Sequence, residues 1–341
     1  MIETKEAVLT KMIVNHFDTQ GEFCQVGEGL TLFTTDEEIE LRKILLKAFE
    51  GQTITYEFDH PINIDYNVLF GLIKKEYAET NFIEFSKQVM NHLTDASDHP
   101  NIKSGDVFIT RFEDIKLGNT YCDAIGILKF EDKQSFMETY SDNGMPTVEL
   151  KKGIGNRKPE KACLVILNDE PYTILVIDNG KGGDTEYWQE DFIKHRPKSD
   201  DANRTHNFLN MTKAFIVDEL PNDFEVGRAD QIDMLNRSVD FFKSNDTFEL
   251  AEFENQVITQ PEVVESFDRF KSKFQRETEM EISDDFHISK PVLKKQARAF
   301  KSVLKLDKNF HVYIHGNRNL IEQGVDEQGR KFYRLFYEEE H

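Results

Sequence analysis

The sequence predicts an α+β fold: a mixed helix and antiparallel-sheet N-terminal region, a helical middle, and a small C-terminal helix-plus-antiparallel-sheet piece. Three observations predict it. Between residues 106 and 177, short apolar runs are separated by Gly, Asn, Asp and Pro turns, which is how an antiparallel sheet is punctuated. From 208 to 276 the apolar residues recur instead at three- and four-residue steps. Beyond Pro291 a short helix gives way to strands broken by Asp307-Lys308-Asn309 and Asp326-Glu327-Gln328-Gly329. The expected domains are 1–195, an α+β domain with an antiparallel sheet; 208–286, a helical region; and 287–341, a small basic helix with β-hairpins. The polar run His195–Asn207 reads as the loop or boundary between the first two.

Taken in order, Ala7–Phe17 and Glu22–Phe33 are β-rich, the latter with Val26, Leu30 and Leu32 among its apolar positions. Thr35 and Glu38 form a capping box for a helix in which Ile39, Ile44 or Leu45, and Phe49 recur at helical spacing. Ile54–Phe58 reads as a strand. Asp65 caps a second helix through Tyr77, and Phe82, Phe85, Val89 and Leu93 line one face of a third. The expected sheet strands are Asp106–Phe112, Thr120–Phe130, Pro146–Lys151, Ala162–Leu167 and Tyr172–Ile177. Helices follow on the stripes Phe208/Thr212/Phe215/Ile216 and Ile232/Leu235/Val239/Phe242, then over Leu250–Val257 and Pro261–Arg276. The closing strands are Val303–Leu306, Phe310–His315, Leu320–Val325 and Lys331–Tyr337.

Composition bounds the function. With 341 residues, 38% of them hydrophobic and 28 of them Phe, the chain can build real cores and wholesale disorder is excluded. The opening residues lack the layout of a signal peptide, and no run approaches the roughly 20 apolar residues that a membrane helix needs. Cys24, Cys122 and Cys163 lie far apart in apolar segments and form neither a zinc pattern nor a disulfide framework, so a reducing, cytoplasmic location is expected. The net charge of −21 repels phosphate backbones taken globally, so any nucleic-acid contact needs a local basic surface. It also suits contact with a basic partner protein.

Most candidate catalytic patterns reduce to structure. The Gly-rich run Asp178–Asp184 lacks the spacing of a phosphate loop and the ligands of an EF-hand, and reads as a turn after a strand. His311 and His315 share a strand face with Tyr313 but have no third metal ligand nearby. His206 has no assignable nucleophile or partner. Asp142 with Glu149 and Lys151 outlines the skeleton of a Mg²⁺-dependent PD-(D/E)xK nuclease, the enzymatic alternative, although Asp142 sits in the turn sequence Ser141-Asp142-Asn143-Gly144. No catalytic residue, metal or cofactor is assigned, and a non-enzymatic role is expected.

The segment His287–Lys308 stands out. It holds Lys290, Lys294, Lys295, Arg298, Lys301, Lys305 and Lys308 against one acid, Asp307. That local balance of +6 leaves −27 on the remainder of a chain whose total is −21. On a helix from Pro291, Leu293, Ala297 and Phe300 face inward, and Lys290, Lys294, Arg298 and Lys301 form an outward row. Such a row can follow a phosphate backbone without reading bases.

From Arg228 onward the chain resembles the bacterial nucleoid-associated NdpA family. The resemblance is carried by Met234-Leu235-Asn236-Arg237-Ser238-Val239-Asp240-Phe241-Phe242 and the acidic, Phe-rich helices after it. It is strongest in Leu293–Asp307, Asn309–His315 and Asp326–Tyr333. Asn81–Ser86 and the strands beyond it are compatible with that family, whereas the stretch from Glu131 to Asp201 departs from its pattern. The resemblance implies association with the nucleoid, double-stranded DNA contact and no enzymatic activity; it carries over no DNA-contacting residues. The expected partners are double-stranded DNA bound without sequence preference, a basic nucleoid protein, or both, and no membrane. The sequence leaves open whether the chain is a homo-oligomer.

Overall fold

The computed structural model describes residues 2–18, 25–79, 81–97, 102–179, 186–278, 280–300, 303–313 and 320–339. They fall into two compact units, Met1–Lys198 and Ser199–His341. Antiparallel sheets and packed helices make the protein α+β, as its sequence predicts.

In the first unit the elements run β1 (Ile2–Glu3), β2 (Val8–Phe17), α1 (Thr35–Leu46), β3 (Tyr56–Phe58), α2 (Val68–Glu79), α3 (Phe82–Ala96), β4 (Gly105–Leu117), β5 (Thr120–Phe130), β6 (Gln134–Asp142), β7 (Met145–Gly153), β8 (Lys161–Ile166), β9 (Thr173–Asp178) and β10 (His195–Pro197). An eight-stranded sheet is ordered β1-β4-β5-β8-β9-β3-β10, with β2 also paired to β4. Its pairings are antiparallel. Strand β8 is buried at every position because both faces of the sheet are covered. That is why Lys161-Ala162-Cys163-Leu164-Val165-Ile166 reads as a continuous run rather than an alternation.

On one face, Ile109, Ile127, Cys163 and Val165 pack under α2 and α3 through Phe70, Ile73, Phe85, Val89 and Leu93. Trp188 and Phe192, from a π-helical turn over Tyr187–Ile193, close that core. On the other face, Phe112, Leu128, Leu164 and Leu175 meet Leu45, Leu46 and Phe49 at the end of α1 and just beyond it.

The structure departs from the sequence pattern at several local points. The capping box of α1 lies one residue earlier: the Thr34 hydroxyl accepts from Glu37 N at 3.3 Å, and Glu37 accepts from Thr34 N at 2.7 Å. Helix α2 is started by Asn67, whose side-chain oxygen accepts from Phe70 N at 2.9 Å, rather than by Asp65. Within Glu22–Phe33, residues 22–24 lie outside the described ones. From Gln25 onward the chain makes one bridge to His16 and no strand. Strand β6, absent from the sequence reading, pairs with β7 in a separate two-stranded ribbon.

The second unit contains α4 (Asp201–Ala214), α5 (Leu220–Asp223), α6 (Arg228–Ser244), β11 (Thr247–Glu249), α7 (Leu250–Phe253), α8 (Pro261–Thr278), β12 (Asp285–His287), α9 (Lys290–Phe300), β13 (Val303–Leu306), β14 (Phe310–Tyr313), β15 (Ile321–Val325) and β16 (Lys331–Leu335). The polar run His195–Asn207 is therefore not a loop throughout. Asp200 accepts from Asn203 N at 2.9 Å and starts α4 inside it. The core is built of phenylalanines. Phe208 lies 4.1 Å, ring centre to ring centre, from Phe248, and Phe248 stacks at 4.7 Å on Phe286, its neighbour across the β11–β12 ladder. A smaller cluster seats both terminal hairpins on α6: Leu304 and Ile321 pack with Ala229 and Ile232, flanked by Leu306, Val312 and Tyr333.

Candidate nucleic-acid interface

Helix α9 is amphipathic, and its two faces have different fates. Val292, Leu293 and Phe300 are buried, and Leu293 and Phe300 join the phenylalanine core with the half-buried Ala297 packed against it. The opposite side presents Lys294, Lys295 and Arg298, all exposed. Residues 294 and 298 are one turn apart, and 295 and 298 three residues apart, so the three cations occupy one surface strip.

The helix is held at several points. Ser289 N, just before it, donates to the Thr205 hydroxyl on α4 at 3.0 Å. In its middle the Gln296 amide nitrogen is hydrogen-bonded to His206 Nδ1 and donates to Asn210 Oδ1 at 3.2 Å, while the Asn210 amide lies 2.8 Å from His206 Nε2. Burial lowers the pKa of His206, and the positive charge of Lys295 lowers it further. The imidazole under the helix therefore stays neutral in the range where a free histidine begins to charge.

Lys290 does something else. Its ammonium donates to the carbonyl oxygens of Phe242 and Lys243, each at 3.2 Å, and to that of Asn245, and it pairs with Asp246 at 3.2 Å. These carbonyls end α6, where the helix dipole favours a cation. Lys290 thus serves as a helix terminator supplied from elsewhere in the chain. Lys301 lies outside the described residues. The backbone of Lys305 stands opposite His311 in the β13–β14 ladder, and Lys308 is exposed in the tight turn joining those strands. Among the described residues, neither Lys294 nor Arg298 has an ion-pair partner, whereas cations on other helices, such as Arg237 with Asp233 and Lys243 with Asp240, do.

Asp142, Glu149 and Lys151 do not assemble into one metal site. Asp142 faces Met145 across the tip of the β6–β7 ribbon, and Glu149 faces Glu138. Four residues separate those levels, roughly 13 Å along a strand, so the two carboxylates do not converge on one ion. Lys151 pairs with Glu138 and, at 3.5 Å, with Glu149. His315 and most of the Gly-rich run after Asp178 lie outside the described residues, which contain no group of three or more His, Cys, Asp or Glu placed to hold a metal ion. No described helix is long and apolar enough to cross a membrane.

One internal cluster escaped the sequence reading. Lys129 and Lys161 are fully buried in neighbouring strands, with their ammonium groups 5.7 Å and 5.3 Å from the centre of the Tyr187 ring. Lys129 donates to Lys103 O at 2.6 Å and to Glu131 at 2.9 Å, and Lys161 pairs with Asp178 at 2.5 Å. Burial lowers the pKa of Lys129, against the pull of Glu131. The signal was a lysine inside each of two apolar strands, Leu128-Lys129-Phe130 and Lys161-Ala162-Cys163.

Comparison with curated proteins finds no match. Comparison with family models finds one, described as nucleoid-associated protein YejK, over residues 23–330. The match runs through Glu131–Asp201, the stretch whose sequence departs from the expected pattern, and takes in both units and the whole of α9. The chain belongs to this family of nucleoid-associated proteins.

Proposed function

We propose that the protein reaches the nucleoid by direct, weak contact with duplex DNA, without sequence preference and without catalysis. The contact would run through Lys294, Lys295 and Arg298 of α9, extended by Lys301, Lys305 and Lys308. The supporting observation is the strip of exposed helix cations, two of them without an ion-pair partner among the described residues, on a chain whose net charge is −21. Cations spaced along a helix match phosphates, which fix position without carrying sequence information. Lys290, engaged at the end of α6, drops out of the contacting set. Family membership favours the nucleoid, and hence the cytoplasm, as the place of action.

The acidity favours a second reading, in which a basic nucleoid protein bridges the chain to DNA. Duplex binding followed by anisotropy across a salt series separates the two. Each phosphate contact contributes about −0.9 to the slope of log K against log salt, so Lys294→Glu/Lys295→Glu/Arg298→Glu should remove about 2.5–3 units of slope along with most of the affinity. If the wild type shows no salt-sensitive binding, direct contact is wrong and the bridging reading takes its place.

A further inference from the structure

A cleft of about 540 Å³ lies within the first unit, where β5 and β9 end and β8 begins. It is built over the two buried lysines. Lys161 lines it, and Lys129, its partner across the β5–β8 ladder, sits behind with its ammonium 3.3 Å from the Tyr187 hydroxyl. Burial disfavours the charged form of Lys129, Glu131 opposes that, and the neighbouring charge of Lys161 adds to it. Two like charges held close in a low dielectric favour an anion beside them. The carboxylates around the cleft are already engaged. Glu131 pairs with Lys129 at 2.9 Å and Asp178 with Lys161 at 2.5 Å, while Glu160 accepts from Arg157 at 2.7 Å and from Glu131 N at 2.9 Å. Asp132 lies 3.7 Å from Arg157. Lys103 and Lys158, exposed on the walls, have no ion-pair partner among the described residues.

We propose that this cleft binds a terminal phosphate group, with Lys103, Arg157 and Lys158 as the contacting cations and the buried Lys161 beneath them. The balance of charge selects an anion. Lys103, Lys129, Arg157, Lys158 and Lys161 outnumber Glu131, Asp132, Glu160 and Asp178 here, although the whole chain has 63 acidic residues against 42 basic ones. The donors select phosphate among anions. A guanidinium fork and mobile ammonium groups can satisfy several oxygens of one tetrahedral group, and a doubly charged group gains from each of them. The shape selects a terminal group, because the volume falls in the roughly 300–1,000 Å³ of small-ligand sites. A phosphodiester within a nucleic-acid backbone carries one charge and is hemmed by sugars on both sides, so a free phosphate ester or a chain end fits better. This inference does not rest on the DNA reading, whose cations lie in the other unit.

The test is calorimetric titration of the full chain with pyrophosphate at about 0.15 M salt, where attraction between exposed charges is largely screened. Saturable binding of one pyrophosphate per chain is expected. Lys103→Gln/Lys158→Gln should weaken it at least about tenfold, through the loss of two charge-assisted hydrogen bonds. Lys152→Gln, outside the cleft, should bind like the wild type. Trp188 fluorescence and circular dichroism check that each variant is folded. Should the double variant misfold, the wild type supplies a second readout: pyrophosphate should slow acetylation of Lys103 and Lys158 and leave that of Lys152 unchanged. A single-stranded oligonucleotide with a 5′-phosphate, titrated beside the same strand with a 5′-hydroxyl, separates the two sources. Binding that requires the 5′-phosphate and is lost in the double variant assigns a chain end; pyrophosphate binding without it assigns a free phosphate ester. No saturable binding of pyrophosphate or of the phosphorylated strand, a folded double variant that binds like the wild type, or acetylation of Lys103 and Lys158 unaffected by pyrophosphate overturns the proposal.

Discussion

The ammonium nitrogen of Lys290 lies 3.2 Å from the carbonyl oxygen of Phe242, so the first residue of α9 completes the last turn of α6. A cation in this position is worth about 0.5–1 kcal/mol through the helix dipole. Lys290→Met should therefore lower stability by about that amount in urea unfolding, while the salt slope of DNA binding stays at the wild-type value. A loss of about one unit of slope in this variant would return Lys290 to the phosphate-contacting set.

His195 gives the first unit an acid-sensitive point. Its ring nitrogens are buried and have no hydrogen-bond partner among the described residues. Burial takes its pKa down to about 4, against a weak upward pull from Asp178. The unfolded chain, with a pKa near 6.5, takes up the proton first as the pH falls. The contribution is fully present above about pH 6.5 and is lost progressively towards pH 4, by roughly 2–3 kcal/mol at about pH 4.5. His195→Phe keeps an aromatic ring beside Tyr56, whose ring centre lies 4.4 Å away. It should flatten that part of the stability profile, read by Trp188 fluorescence in denaturant at several pH values. An unchanged slope would show that other groups carry the acid sensitivity.

Lys129→Met should destabilise the first unit by about 3–5 kcal/mol, because it leaves Glu131 buried without its partner. Adding Glu131→Gln should recover part of the loss, since a neutral amide costs less to bury than an unpaired carboxylate. Thermal melts of the two variants check this; equal melting points would mean that the ion pair contributes little.

The sequence made visible what a single segment encodes. The stripe Phe82/Phe85/Val89/Leu93 specifies α3, and all four residues are buried where that stripe places them. The apolar run of β8 and the turns around the sheet strands were legible for the same reason. The start of α4 was hidden because the buried residues of its first turns include Asn203 and Thr205, polar side chains that are accommodated by tertiary packing. The Thr205 hydroxyl donates to Asp201 O and accepts from Ser289 N, 84 residues away. Strand β6 escaped because both its faces are exposed, so no alternation of buried and exposed positions marks it. Of the basic segment, the inward and outward faces of α9 were legible from spacing alone. The separate role of Lys290 was not, because its acceptors lie 45–48 residues earlier and nothing local announces them.

The seat of α9 has a consequence for when the basic surface comes into being. Leu293 and Phe300 enter a core assembled from Phe208, Phe242, Phe248 and Phe286, which the chain supplies before α9 begins. An 11-residue helix in isolation is too short to persist in water. The cations at 294, 295 and 298 therefore become an ordered row once residues 199–288 have folded beneath them. A ribosome-bound chain or a proteolytic remnant of the last 50 or so residues keeps the charges but not their spacing, so the geometry that phosphates would meet is a property of the finished unit.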